Sequence, residues 1–433
     1  MTITKAIILD GHLKSALSAV RSLGAKGAQI TTAAERGTAM ALYSCYTARH
    51  FVYSSPLSAP QAFVRTIINM AQNIGDMPVI YAFSDETFLL ISKHRKEIQK
   101  YATLLLSSEE SIEIAFNKKK TLALAKKLNI SRTKPIQGLP LDNKPVQELP
   151  LDNKPVQGLP LDNTPLDNIS SCAISYPVVI KPQSSCVWKD GVGVKGTAEY
   201  VFSDGELYAR ASALYEKTGQ HPLIQTFVKG GEYGIGMLCC KGEIVAQVAH
   251  KRIRSFSPTG GAAVVKQTIC NAKIAYEMES AARKIIKELK WDGVIMIEFK
   301  NDEKDKKLKL MEINGRFWGS LPLAIFAGVD FPYLFFQQAG GIIDAHDIVK
   351  NGALTIQCQP NIISRHFLGD CHNLLITLFS KNKMRKILFP KRIVACYAFF
   401  ALFTGQKYDV FSLTDLKPFF MEIIDIIRKR ICK

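Results

Sequence analysis

The chain has 433 residues, 47% of them hydrophobic and 22% charged, an ordinary balance for a globular protein that excludes disorder of the whole. With 56 Lys and Arg against 38 Asp and Glu the net charge is +18, which favours anionic partners: nucleotide, acidic substrate, nucleic acid or anionic lipid. From Asn361 to Lys433 thirteen Lys and Arg face five Asp and Glu, so much of the excess is local. That distribution argues against a continuous nucleic-acid groove, no interleaved aromatic motif or zinc finger accompanies it, and nucleic acid is not an expected partner. The ten cysteines contain no CxxC pair, which suggests neither a zinc site nor a disulfide framework and fits a reducing cytoplasm. The start, MTITKAIILDGHLKS, lacks the apolar core and cleavage site of a signal peptide. The longest uncharged apolar run, IVACYAFFALF, is about half the ~20 residues a membrane helix needs and is read as a buried helix.

The first module alternates between strand and helix. KAIILD is a short buried strand, Leu13, Leu17, Val20 and Leu23 recur at helical spacing, and AQITTA resumes a strand after Gly24 and Gly27. A helix over residues 61–72, the strand PVIYAF and a helix over 86–98 complete a small parallel sheet covered by helices. No GxGxxG follows the first strand, so a dinucleotide fingerprint is missing there. Next, AFNKKKTLALAKKLNI puts Leu122, Ala125 and Leu128 on one helix side and crowds Lys118, Lys119 and Lys120 at its start. Three cations at the positive end of a helix dipole are either solvated or relieved by an anion.

From Pro135 a ten-residue unit repeats: PIQGLPLDNK, PVQELPLDNK, PVQGLPLDNT, then PLDN. Its prolines remove backbone donors and its few leucines bury little area, so residues 135–168 are read as an extended, poorly ordered insertion without a catalytic role. YPVVIKP restores a strand whose last residue, Lys181, either snorkels to the surface or meets a phosphate. GVGVKG follows in the wrong setting for a Rossmann fingerprint, but it suits a glycine-rich loop over phosphates with Lys195 as a cation. In HKRIR, His250, Lys251, Arg252 and Arg254 form a basic strand end, which is either a solvated edge or a holder of phosphate or carboxylate, with Arg252 favoured.

A helix over 275–289 precedes the most informative stretch, WDGVIMIEFKNDEKDKKLKLMEINGRFWGS. VIMIEF and LKLMEIN read as two strands of a hairpin joined by polar residues. Alternation puts Glu298 with Val294 and Met296, and Glu312 with Leu308, Leu310 and Asn314. If the register unites these faces, Glu298, Glu312 and Asn314 converge as oxygen donors for a divalent cation. Magnesium accepts one or two protein carboxylates and fills its other positions with water and phosphate oxygens, which points to phosphoryl transfer from ATP. A solvated hairpin is the bland alternative. Arg316 follows where a guanidinium can hold a phosphate or carboxylate by two bonds. PLAIFAGVDFPYLFFQQAGG reads as a core helix pair. SLTDLKPFFMEIIDIIRKRICK puts Phe420, Ile423, Ile424 and Ile427 near one helix face. Such a helix either packs on the body, the favoured reading, or lies on an anionic membrane.

MEINGRFWGS, with VVIKP and IQTFVKGGEYG before it in order, resembles the ATP-grasp superfamily, which includes D-alanine:D-alanine ligase, biotin carboxylase and the large chain of carbamoyl-phosphate synthase. The resemblance covers about residues 1–340 apart from the insertion. It implies a mixed α/β and α+β architecture: a Rossmann-like domain over 1–116, a two-lobed ATP-grasp domain over 117–345, and a basic C-terminal region over 346–433. It implies ATP and magnesium, or manganese in its place, as cofactors. Glu298, Glu312 and Asn314 would hold the metal, Lys118 and Lys181 the triphosphate, Gln225, Phe227 and Val228 the adenine, and Glu232 the ribose. Asn117 stands where the family has Asp, and Gln225 where many relatives have Glu. The implied activity is ligation: a carboxylate is activated as an acylphosphate and an amine or thiol displaces phosphate, with Arg316 and Arg252 steadying charge. The alternative is a non-catalytic nucleotide-binding or regulatory protein that retains the fold. The two substrates and the oligomeric state are not legible.

Overall fold

The computed structural model describes residues 4–136, 174–269, 272–342, 358–401 and 405–431. The N-terminal region is a four-stranded parallel sheet, β1 (Lys5–Ile8), β2 (Gln29–Ala34), β3 (Arg49–Val52) and β4 (Val79–Tyr81), in the order β3-β2-β1-β4. Two short parallel strands cannot be joined by a tight turn, so helices make the crossovers. These are α1 (Lys14–Gly24), whose Leu17, Val20 and Leu23 are fully buried, and α2 (Pro60–Ile74). The single helix expected over 86–98 is two, α3 (Asp85–Lys93) and α4 (Arg95–Ile98), because the backbone leaves helical geometry at His94. The Arg95 guanidinium holds that break by donating to the carbonyls of Ser92 and Ser107 at 3.0 and 2.8 Å.

Two more helices, α5 (Glu109–Phe116) and α6 (Lys118–Lys127), lead out of this region. Residues 133–136 then run beside a later strand, with Ile136 N donating to Ile224 O at 2.8 Å. Pro135 and Ile136, expected to open the insertion, are instead bonded beside that strand, and the rest of the expected insertion, residues 137–168, lies outside the described residues. A small lobe follows: β5 (Val178–Lys181), the hairpin β6 (Cys186–Lys189) and β7 (Val192–Lys195), β8 (Glu199–Val201), α7 (Asp204–Thr218) and β9 (Leu223–Thr226). Strands β8, β5 and β9 form its antiparallel sheet.

The large lobe is a seven-stranded sheet in the order β14-β13-β10-β11-β12-β15-β16. Its strands are β10 (Gly230–Cys240), β11 (Glu243–Ser257), β12 (Gly260–Thr268), β13 (Gly293–Asp302), β14 (Leu308–Asn314), β15 (Ile363–Arg365) and β16 (Lys407–Tyr408). One face is closed by α8 (Lys273–Leu289), whose Met278, Ala282, Ile285 and Ile286 pack with Ile295, Ile297, Phe299 and Leu310. The expected core helix pair is α9 (Leu321–Phe326) and α10 (Phe331–Ala339), which packs against α1. HKRIR is not a strand end: it lies inside β11, bonded to β10 on one side and β12 on the other.

The C-terminal region adds helices Phe367–Phe379, Arg385–Leu388, Arg392–Phe400 and Lys417–Ile431. The helix Arg392–Phe400, expected to be buried, buries only Phe399; Ile393 is 79% exposed and Tyr397 77%. The last helix packs through Phe419, Met421 and the ion pair of Glu422 with His366, but Phe420, Ile424 and Ile427 remain exposed. No helix among the described residues is long and apolar enough to cross a membrane.

Candidate nucleotide and cation site

Between the small lobe and the large sheet lies a cleft of about 650 Å³, lined by Lys118, Lys181, Gln225, Phe227, Val228, Glu232, Arg252, Glu298, Glu312, Asn314 and Arg316. These eleven sequence-derived residues thus reach one cavity of a size suited to a nucleotide. The floor follows from strand register. Residues directly opposite on neighbouring strands share a face, and Glu298 stands opposite Glu312, Met296 opposite Asn314, and Glu232 opposite both Arg252 and Lys300. One expectation fails in detail. Leu310 does not share the face of Glu312, because a bulge at Met311 lets Leu310 pair with Phe299 on the opposite, buried face. The extra residue reverses the alternation, and that reversal aims Glu312 into the cleft.

The charges interlock. The Arg252 guanidinium donates to Glu232 at 2.8 Å, to the Gly261 carbonyl at 3.1 Å and to Glu298 at 3.4 Å. Lys300 reaches Glu232 at 3.2 Å and the Val228 carbonyl at 3.3 Å, and lies 5.9 Å from the centre of the Phe227 ring. Burial raises the Glu232 carboxyl, but Arg252 and Lys300 outweigh it and hold it below its usual range. Glu298 behaves oppositely: burial, aided by the repulsion of Glu312 and Glu232, overcomes the pull of Arg252 and lifts it to about 7. Asn314 Nδ2 donates to Glu298 Oε1 at 3.4 Å. Among the described residues no three His, Cys, Asp or Glu are grouped as metal ligands. Two carboxylates and an amide make a sparse donor set, the kind magnesium completes with water and phosphate oxygens.

The walls supply cations. Asn117 caps α6 by accepting from Lys120 N, which starts the helix at Lys118 and directs that side chain inward. Lys118 Nζ lies 3.1 Å from Ser185 Oγ and 3.9 Å from Glu312, whereas Lys120 pairs with Glu113 outside and Lys119 is exposed. Lys181 closes β5; burial lowers its pKa, Glu312 raises it, and Lys118 and Lys300 lower it again. Gln225 is buried and donates to Thr133 Oγ1 at 2.5 Å. Arg316 is held by Asp85 at 2.5 Å, at the start of α3, and approaches Asn314 at 3.4 Å. Lys195 does not face the cleft: it pairs with Glu86, while Gly193 N donates to the Leu57 carbonyl, so the glycine hairpin rests on the N-terminal region.

Several lining residues escaped the sequence reading. Lys300 lies two residues beyond Glu298, so the same alternation carried one step further finds it. Thr133 and Tyr200 on the lining, and Asp85 behind Arg316, have no such signal, because each arrives from a distant segment. His250 is buried, its imidazole pushed down to about 3 by burial, Arg252 and Lys266, and bonded to Ser320 Oγ at 3.0 Å. Gly236 admits Trp318: a Cβ there would stand 2.0 Å from the indole.

Residues 219–358, from β9 through α10, match the family model described as ATP-grasp in the biosynthetic pathway with Ter operon. No curated protein matches the chain significantly. Among solved structures, the biotin carboxylase domain of Hydrogenobacter thermophilus 2-oxoglutarate carboxylase, determined with MgADP, ADP and bicarbonate, superposes with TM-score 0.58 at 15% identity over 84% of this chain and 74% of that one. An L-amino acid ligase from Bacillus licheniformis gives TM-score 0.57 at 13% identity over 84% and 79%. N5-carboxyaminoimidazole synthetase from Staphylococcus aureus gives 0.52 at 11% over 78% of each chain. The fold, two lobes closing on a nucleotide-sized cleft, is the ATP-grasp fold, and residues 219–358 carry the match to an ATP-grasp family model.

Proposed function

We propose that the protein is an ATP- and magnesium-dependent ligase that joins a carboxylate to an amine or thiol. The observation that carries this is the opposition of Glu298 and Glu312 across β13 and β14, beside Asn314, in a cleft whose walls present Lys118 and Lys181. A divalent cation held by Glu298, Glu312 and Asn314 would neutralise phosphate charge and relieve the repulsion between the two carboxylates. Lys118 and Lys181 would bind the triphosphate, Gln225, Phe227 and Val228 the base, and Glu232 the ribose. The substrate carboxylate attacks the γ-phosphorus, the bond to the β-phosphate oxygen breaks and ADP leaves. The amine or thiol then attacks the acyl carbon and phosphate departs. Arg316 and Arg252 stabilise the charge that develops. No side chain need act as a nucleophile, which agrees with a cleft built of cations and carboxylates.

In this reading residues 1–116 shape the substrate side, 117–345 bind nucleotide and 346–433 form the basic C-terminal region. A cytoplasmic setting supplies the ATP. One observation favours a non-catalytic nucleotide-binding role: Arg252 and Arg316 are both engaged by protein carboxylates. A screen of ADP release with amino acids offered in pairs, with and without magnesium, separates the two. Magnesium-dependent ADP formation that requires a carboxylate supports the ligase; nucleotide binding without ADP formation across the panel overturns it.

A further inference from the structure

The C-terminal region carries an exposed apolar face that the nucleotide site does not use. On the helix Arg392–Phe400, Ile393, Val394, Tyr397 and Phe400 recur at helical spacing and are 51–79% exposed. Leu375 and Phe379, four residues apart on the helix packed beside it, are 52% and 74% exposed. A chain of ring contacts runs from Phe400 through Phe399, Phe367, Tyr408, Phe411 and Phe419 to Phe420, with neighbouring centroids 5.4–6.5 Å apart. It joins this face to the exposed Phe420 and Ile424 of the last helix.

The charge around this face has one sign. Between Asp370 and Asp409 the sequence has no Asp or Glu, while Lys381, Lys383, Arg385, Lys386, Lys391 and Arg392 cluster in the link and at the start of the apolar helix. Lys383 pairs with Glu206, but Lys381, Lys386, Lys391 and Arg392 are exposed and pair with no carboxylate among the described residues. A stripe of aliphatic and aromatic side chains beside unpaired cations is the pattern of a helix that lies in a bilayer interface, with Tyr397 at headgroup depth. Anionic headgroups complete the cations and acyl chains the stripe. A second copy fits less well. In a two-fold dimer a patch meets itself, and here that would set one cationic rim against another.

We infer that this face docks the protein peripherally on an anionic lipid bilayer, without spanning it. The contact is tied to the cleft through β11: Arg252 lines the cleft, and two residues on Arg254 bonds Asp370 at 2.6 Å and the Ala398 carbonyl of the apolar helix at 3.3 Å. The test is co-sedimentation of the full chain with vesicles of phosphatidylcholine alone or mixed with phosphatidylserine. The bound fraction is expected to rise roughly tenfold with phosphatidylserine and to fall again in high salt. Ile393→Ser with Tyr397→Ser, and separately Lys386→Glu with Lys391→Glu, should each abolish the gain while leaving circular dichroism unchanged. Equal lack of binding to both vesicles at low salt overturns the inference. So does a stable dimer of the parent chain that the Ile393→Ser, Tyr397→Ser pair converts to monomer.

Discussion

In the cleft charges are interlocked with opposites: Lys300, Glu232 and Arg252 alternate in sign across three neighbouring strands, and Arg316 is anchored by Asp85. On the C-terminal face, the exposed Lys381, Lys386, Lys391 and Arg392 stand beside apolar side chains and pair with no carboxylate among the described residues. The difference teaches where precision is needed. In a half-buried site an ion is held by geometry, and moving one group exposes its partner to the full cost of desolvation. On a solvated face composition suffices, because screening blurs the position of each charge. Substitutions should therefore have large, position-specific effects in the cleft and small, additive ones on the face.

The sharpest break of that contrast is Glu312→Gln. ADP formation should fall by about 10²–10³-fold while thermal unfolding stays where it was; normal turnover in that variant would remove the cation site. Gly236→Ala comes next. Its Cβ would collide with the Trp318 indole, and urea unfolding should show a loss of about 1–3 kcal/mol. Gly205→Ala, with open space around its added carbon, should show almost none. Lys118→Met should raise KM for ATP by about tenfold, whereas Lys120→Met, whose side chain pairs with Glu113 outside the cleft, should leave it unchanged.

A pH experiment sharpens the comparison further. Burial lifts the folded-state Glu298 carboxyl to about 7 from an ordinary value near 4.5. The folded chain therefore holds this proton more tightly than the unfolded chain. The stability this provides is complete below the ordinary value and is lost as pH rises to about 7. A divalent cation competes with that proton, so magnesium should raise Tm more at about pH 8 than at about pH 6, and Glu298→Gln should remove the difference. The smallest effect belongs to the face: Tyr397→Ser or Lys391→Glu should change unfolding free energy by less than about 0.5 kcal/mol.

The hairpin with Glu298 and Glu312 could be read from alternation and a polar turn, and α1 and α8 from their apolar spacing. The choice of Lys118 from three lysines could not, since Asn117 selects it by capping the helix at a defined residue. IVACYAFFALF is apolar enough for a core, yet a run of this composition does not state what covers it, and its helix lies at the surface.

Local sequence determined which segments become strands and helices and which residue types gather at the strand ends, because periodicity and capping act within a few residues. Tertiary structure alone decided that the bulge at Met311 turns Glu312 to the cleft, that Asp85 holds Arg316, and that Lys195 pairs with Glu86 outside the cleft. Those outcomes depend on strand register and on contacts between residues far apart in the chain, and short-range pattern carries no information about either.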